Sequence, residues 1–277
     1  MKLHNMSRRV DRARRTAVAA GVGLLLAAGL LTACGSSEST PSASGPLVGL
    51  FRLQAGATKG SEVTGSWFKM VQPGGTVEAG PYMPNGDSPV NGGTITLLAP
   101  GTDGGLRSGA FQSEPKPGFD NGNSLAGAIM KPTRFFGVDF GASTNPVDPQ
   151  TRNAVVAPTV TVSGGKLTAN VTAWAASWNN QEFNQGAPKV APAKGPEVPV
   201  AAQATRAWDW VSQRWFGQDK ATPGSGPSAT GTYDAKTREY TLEWTSAIVG
   251  GPFNGFTGVW HLEGVFEPTA AAPSTAR

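Results

Sequence analysis

The sequence predicts an all-β protein, an antiparallel β-sandwich or barrel, on three observations. Gly (37) and Pro (22) are abundant while 15% of residues are charged. This profile suits short strands joined by tight turns, because Gly supplies positive φ and Pro interrupts helices and central strands. Strand-length apolar runs recur from Leu47 onward, with turn chemistry between them. Helical spacing appears clearly in a single segment after the leader, treated below.

Taken in order, the runs are LVGLFRL at 47–53, VTGSWFKMV at 63–71, GTITLLA at 93–99, RFFGVDF at 134–140, NAVVAPTVTV at 153–162 and KLTANVTAWAASW at 166–178. PGG, PNGDSP, PGTDGG, DNGNS and NPVDPQ lie between them. Around Ser163-Gly164-Gly165, the residues Val160, Val162, Leu167, Ala169 and Val171 alternate with polar ones, which predicts a hairpin. GTYDAKTREYTLEW predicts a second hairpin that turns at Asp234-Ala235-Lys236-Thr237 and sets Tyr240, Leu242 and Trp244 on one face by period two. The last strand runs from Phe256 to Phe266, with Phe256, Gly258, Trp260, Leu262, Gly264 and Phe266 on one side. Val259, His261 and Glu263 face the other.

A Pro/Ala/Gly-rich insertion at about 188–228 breaks this pattern. Inside it, ATRAWDWVSQRWFG at 204–217 places Trp208, Val211 and Trp215 at i, i+3 and i+7, which favours one short amphipathic helix. Trp208 and Trp210, two residues apart, keep a strand open as the alternative.

The N-terminus has a different character. Arg8, Arg9, Arg12, Arg14 and Arg15 precede an uncharged apolar run of 16 residues, Thr16 to Leu31. That run is short of the roughly 20 residues a spanning helix needs. The combination predicts a removable export signal over residues 1–33 rather than a permanent anchor helix. The junction Leu31-Thr32-Ala33-Cys34-Gly35 resembles the lipobox of bacterial lipoproteins, in which the cysteine sulfur receives a diacylglyceryl group and the signal is cut just before it. The whole stretch from Arg8 to Gly35 resembles the leaders of lipoproteins from high-GC Gram-positive bacteria. The resemblance implies lipidation of Cys34, the sole cysteine, and attachment to the extracytoplasmic face of the cell membrane. Each buried CH₂ contributes about 0.8 kcal/mol, so two acyl chains hold where one would exchange. Ser7-Arg8-Arg9-Val10-Asp11-Arg12 also resembles a twin-arginine export signal but departs from it at Val10 and Asp11, which leaves both export routes open. Residues 34–46, rich in Ser, Pro and Gly, predict a disordered tether, and 47–277 reads as a single β-rich domain.

The leader also accounts for the basic balance of the chain. Of the formal +4, residues 1–33 supply +5 through Lys2 and five arginines set against Asp11, so the remainder carries −1. No basic patch is left for nucleic acid. With Cys34 acylated, no thiol remains for a disulfide, and stability has to come from burial in 244 residues.

Few residues point to chemistry. Trp174, Trp178, Trp208, Trp210 and Trp215 gather around the insertion and are candidates for a surface that stacks on a sugar or peptide. The usual burial of Trp offers the competing role of core or of pinning the insertion down. Asp120, Asn121, Asn123, Asn145 and Asp148 present oxygens of the kind calcium takes, but their spacing matches no helix-flanked calcium loop and such residues form turns unaided. His261 is the one histidine after the leader, which removes any multi-histidine zinc site. Neither a G-x-S-x-G elbow nor a phosphate-cradling G-x-x-x-x-G-K-[ST] loop is present.

The strand Trp260-His261-Leu262-Glu263-Gly264 is loosely similar to the last strand of secreted bacterial β proteins, families largely without assigned activity. That likeness implies no functional residue. The expected role is therefore a non-enzymatic, lipid-anchored module of the cell envelope that binds a glycan or protein ligand, with no cofactor and no metal. The alternative is an extracellular carbohydrate-active hydrolase using an Asp/Glu pair about 5–10 Å apart in a Trp-lined cleft.

Overall fold

The computed structural model describes residues 44–150, 154–186 and 229–269, together with the backbone of two short strands at Ala207–Asp209 and Arg214–Phe216. The leader, Cys34 and most of the tether lie outside the described residues. Among those described, the architecture is nearly all β, with one 3₁₀ turn at Val90–Gly93, in two curled antiparallel sheets arranged as a half-barrel sandwich. No helix among them is long and apolar enough to cross a membrane.

The larger sheet runs in the spatial order β1 (Ser44–Pro46), β13 (Thr159–Ser163), β14 (Lys166–Asn170), β19 (Ala229–Tyr233), β20 (Glu239–Ala247), β21 (Thr257–Pro268), β2 (Gly49–Leu53) and β8 (Gly105–Ser108). β5 (Trp67–Thr76) joins the first half of β21 and carries β6 (Gly80–Tyr82) and β7 (Thr96–Leu97). The smaller sheet is β11 (Thr133–Phe135), β12 (Val138–Thr144), β15 (Trp174–Trp178) and β16 (Gln181–Asn184). Three ribbons complete the set: β3 (Ala57–Lys59) with β4 (Glu62–Thr64), β9 (Phe119–Asp120) with β10 (Asn123–Ser124), and β17 (Ala207–Asp209) with β18 (Arg214–Phe216).

β21 organises the larger sheet. It pairs with β20 along its length, while its other edge is shared, Thr257–His261 meeting β5 and Gly264–Pro268 meeting β2. The changeover falls at Gly264, where a Cβ would come within 1.9 Å of the Arg52 carbonyl oxygen, so a residue without a side chain is required.

Period-two patterning sets the core. Tyr240, Leu242 and Trp244 on β20 and Trp260, Leu262 and Phe266 on β21 are buried, as their alternation predicts. The two sheets meet through rings: Trp174 of the smaller sheet stands edge-on to Trp244 and Trp260 at 5.2 and 5.1 Å, and Phe140 lies 5.5 Å from Phe68. Such offset and edge contacts add to the burial that these large side chains already provide. The buried Tyr240 hydroxyl donates to the Phe51 and Arg52 carbonyls, satisfying the one polar atom its burial would otherwise strand.

Both predicted hairpins form. Ser163 pairs with Lys166 across Gly164 and Gly165, both at positive φ, and Tyr233 pairs with Tyr240 across the Asp234–Thr237 turn. DNGNS is itself a hairpin, Asn121 and Gly122 at positive φ between Asp120 and Asn123.

Several boundaries differ from expectation. VTGSWFKMV is divided between β4 and β5, and NAVVAPTVTV becomes a strand only from Thr159. RFFGVDF folds back at Phe136-Gly137 instead of running straight, because both residues take positive φ. KLTANVTAWAASW is two strands, broken where Asn170 Oδ1 accepts from the Thr172 N–H and hydroxyl. The tether ends earlier than predicted, since Ser44–Pro46 pair with β13 and become an edge strand. The favoured helix at 204–217 is not what forms: its described backbone is the β17–β18 ribbon, with Trp208 the register partner of Trp215. A short helix carries a nucleation cost, whereas Trp, Val and Phe favour pleated backbone and cross-strand pairing.

Candidate functional site

The outer face of the smaller sheet carries its most perturbed carboxyl group. β15 and β16 pair Ala176 with Phe183 and Ser177 with Glu182. The alternation that turns Ala176 and Phe183 into the core therefore turns Ser177 and Glu182 outward. The segment before β9 brings Glu114 to them. Its N–H donates to Asn145 Oδ1 at 3.0 Å, and Asn145 is held in turn by its own N–H on the Ala173 carbonyl and its side-chain amide on Ser143 Oγ. Ser177 Oγ shares a 2.6 Å hydrogen bond with Ser124 Oγ beneath.

The Glu114 and Glu182 carboxyls lie near enough for each to act on the other's proton through hydrogen bonding and charge. Glu114 Oε1 is shielded from water and has no protein N–H or O–H on it. Two ionised carboxylates so close repel, which favours a proton on the pair. Burial is the leading cause that drives the Glu114 carboxyl up to about 9, followed by the hydrogen bond to Glu182 and its charge, with Ser177 opposing. At neutral pH the pair holds that proton. It lines a cavity of about 570 Å³ with Phe119, Asn145 and Val147. An acid O–H beside a carboxylate oxygen can donate and accept at once, which suits a neutral group that does both, such as a pair of hydroxyls or an amide.

The inner face of the same sheet borders a second, smaller cavity of about 40 Å³ whose walls include Phe68, Phe140, Trp178, Phe183, Phe253 and Trp260. Trp178 is half-buried there, with its indole N–H donating to the Phe135 carbonyl at 2.7 Å and its ring 5.4 Å from Phe253.

On the outer face of the larger sheet, Glu243, His261 and Trp67 occupy one register row across β20, β21 and β5. His261 Nδ1 lies 2.6 Å from Glu243, Nε2 lies 3.3 Å from Glu263, and the ring stacks on Trp67 at 5.0 Å. Burial lowers the affinity of His261 for its proton, but the hydrogen bonds and charges of the two glutamates outweigh it and raise the pKa. Both ring nitrogens are thereby occupied within a charge network on the sheet surface.

Of the tryptophans singled out by sequence, Trp174 is fully buried between the sheets and is a core residue, because its position on β15 points it inward. Trp178 reaches a cavity. Trp208 and Trp215 are register partners, while their side chains, and Trp210 altogether, lie outside the described residues. The five are therefore not brought together as one described surface. Asp120, Asn121 and Asn123 hydrogen-bond one another in the β9–β10 turn. Asp148 is buried, accepting from the Gln150 N–H and the Asn184 amide. Among the described residues no group of three or more His, Cys, Asp or Glu is placed to hold a metal ion. Glu114 and Glu182 were not singled out in the sequence, since nothing in their flanking residues marks either as a partner of the other.

Fold and sites together define an antiparallel β-sandwich with a proton-sharing carboxyl pair on one face of its smaller sheet. No protein-family model, curated protein or solved structure matches the chain.

Proposed function

We propose that this chain is a lipid-anchored, extracytoplasmic binding module of the cell envelope that takes a neutral, hydroxyl- or amide-bearing glycan at the Glu114–Glu182 cavity. The observation that carries the reading is the pair itself, a part-buried acid and its carboxylate partner lining a roomy cavity. Perturbed ionisable groups in a cleft are where ligand chemistry concentrates. The lipobox resemblance at Cys34 supports the anchorage.

The hydrolase alternative draws less support from the same geometry. Retaining and inverting glycosidases separate their two carboxyl groups by about 5 Å or more, to fit a nucleophile or a water. Glu114 and Glu182 are close enough for each to shift the other's proton, and among the described residues no tryptophan lines their cavity.

Calorimetric titration of the full chain in detergent with peptidoglycan fragments and neutral oligosaccharides tests the proposal. Saturable binding without turnover, weakened at least tenfold by Glu182→Gln, is expected. Binding that is indifferent to both glutamates, or release of product, would overturn it.

A further inference from the structure

The dipeptide Asn-Gly occurs four times among the described residues, at 85–86, 91–92, 121–122 and 254–255. Asparagine is a chemically labile residue. At Asn-Gly the glycine nitrogen can attack the asparagine side-chain amide and expel ammonia, and no Cβ on the glycine hinders the approach. The step is intramolecular, so its rate depends on how readily the two groups can be brought together. The residue that follows is the same at all four positions, and the dipeptide itself ranks none above the others. The fold does.

Three of the four asparagines are held. Asn85 is 1% exposed; its Oδ1 accepts from the Asp87 and Phe136 N–H groups at 3.1 and 3.2 Å, and its Nδ2 donates to Thr96 Oγ1 and the Arg134 carbonyl, both at 3.2 Å. Asn254 Oδ1 accepts from the Gly250 N–H at 2.8 Å, while the nitrogen that would attack, that of Gly255, donates to the Ile248 carbonyl at 2.9 Å. Asn121, at the tip of the β9–β10 hairpin, donates its amide to Asp120 Oδ1 at 2.9 Å, and the Gly122 carbonyl accepts from the Asn179 N–H at 2.9 Å. These bonds resist the rotation that would carry the amide carbon to the next nitrogen.

Asn91 is different. It lies in the 3₁₀ turn Val90–Gly93, where Asn91 and Gly92 are both exposed and both left-handed, with φ of 47° and 66°. Among the described residues no hydrogen bond engages its side chain, and no heavy atom lies within 4 Å of where a Cβ on Gly92 would stand. The main chain alone opposes rotation: the Asn91 carbonyl accepts from the Thr94 hydroxyl at 2.9 Å and, at 3.4 Å, from the Thr94 N–H. A left-handed residue with a Cβ also gains energy on moving to extended backbone.

We propose that Asn91 is a site of spontaneous modification, a self-deamidating position in the turn before β7. The Gly92 nitrogen gives its proton to hydroxide and bonds to Asn91 Cγ; the Cγ–Nδ2 bond breaks, and the departing nitrogen takes a proton from water and leaves as ammonia. Water then opens the five-membered imide. Cleavage between the nitrogen and Cγ gives aspartate, and cleavage between the nitrogen and the main-chain carbonyl carbon gives isoaspartate, with one more carbon in the main chain. Overall, one water enters and one ammonia leaves. The extra carbon falls just ahead of Gly93, whose carbonyl accepts from the Asn85 N–H at 2.8 Å, and Asn85 in turn holds the Phe136 N–H of the β11–β12 hairpin.

The test is to age the full chain in detergent in mildly alkaline buffer made with heavy-oxygen water, digest it and follow the four Asn-Gly peptides by chromatography and mass spectrometry. Asn91 should convert about tenfold faster than Asn85, Asn121 or Asn254, taking up heavy oxygen and giving both aspartate and isoaspartate. Thr94→Val, which removes the exposed hydroxyl from the Asn91 carbonyl, should speed the conversion about two- to tenfold. In denaturant the four positions should react at similar rates, because the fold no longer distinguishes them. Conversion at Asn91 no faster than at the other three in the folded chain would overturn the proposal. So would an unchanged lead for Asn91 in denaturant, which would assign it to flanking sequence, or aspartate as the sole product, which would exclude the cyclic imide.

Discussion

Replacing Glu114 by Gln should stabilise the protein, and more so as pH rises. In the folded chain the Glu114 carboxyl is pushed from 4.5 up to about 9. A group whose folded value is raised contributes most below its unfolded value, and that contribution is lost as pH climbs through the folded one. Between pH 5 and pH 7.5 the folded chain keeps a proton that the unfolded chain releases, at about 1.4 kcal/mol per pH unit. The full slope would give roughly 3.4 kcal/mol over that interval. Glu114 is only partly buried, and solvent screening reduces this to about 1–2 kcal/mol. Gln carries no such proton and can still donate to Glu182, so Glu114→Gln should gain about that much on the parent between the two pH values. For a domain of this size that corresponds to a rise in Tm of about 3–6 °C. Melting curves at pH 5 and pH 7.5 measure it. A difference between variant and parent that does not change with pH would refute the shared proton.

Two further outcomes follow from the structure. His261→Phe keeps a ring over Trp67 but removes both hydrogen bonds to Glu243 and Glu263. Because the folded His261 pKa is raised above 6.5, the bonus is complete below that value and fades as pH rises through the folded one. The variant should lose about 1 kcal/mol at pH 6 and progressively less toward pH 9, as read by denaturant melts. Cys34→Ala should leave the melting curve unchanged while moving the protein out of the membrane fraction. Sedimentation of the variant with membranes would count against lipid anchorage.

Much of the fold was legible because period two is a local signal. The alternation of Val160, Val162, Leu167 and Ala169, and of Tyr240, Leu242 and Trp244, named the buried faces of three strands without reference to the rest of the chain. Where local and long-range preferences disagree, the local signal fails. The i, i+3, i+7 spacing of Trp208, Val211 and Trp215 was compatible with a helix, but the pairing of β17 with β18 is a contact between segments that spacing does not encode. The tryptophan candidates divide the same way. Composition alone cannot distinguish Trp174, enclosed by Trp244 and Trp260, from Trp178 at the edge of a cavity, because that depends on which sheet lies opposite.

The sequence by itself determined the β class, the two clearest hairpins, the inward face of the last strand and the expectation of an acylated Cys34. Each of these depends on residues close together in the chain, through backbone periodicity, turn chemistry or a short motif. Only the tertiary structure decided that the strands divide into two curled sheets with β21 shared by β5 and β2. It alone brought Glu114 to Glu182 and set Trp174 against Trp244 and Trp260. Those arrangements arise when segments far apart in sequence are forced together by burial, and the chemistry of the carboxyl pair exists only once water has been largely excluded.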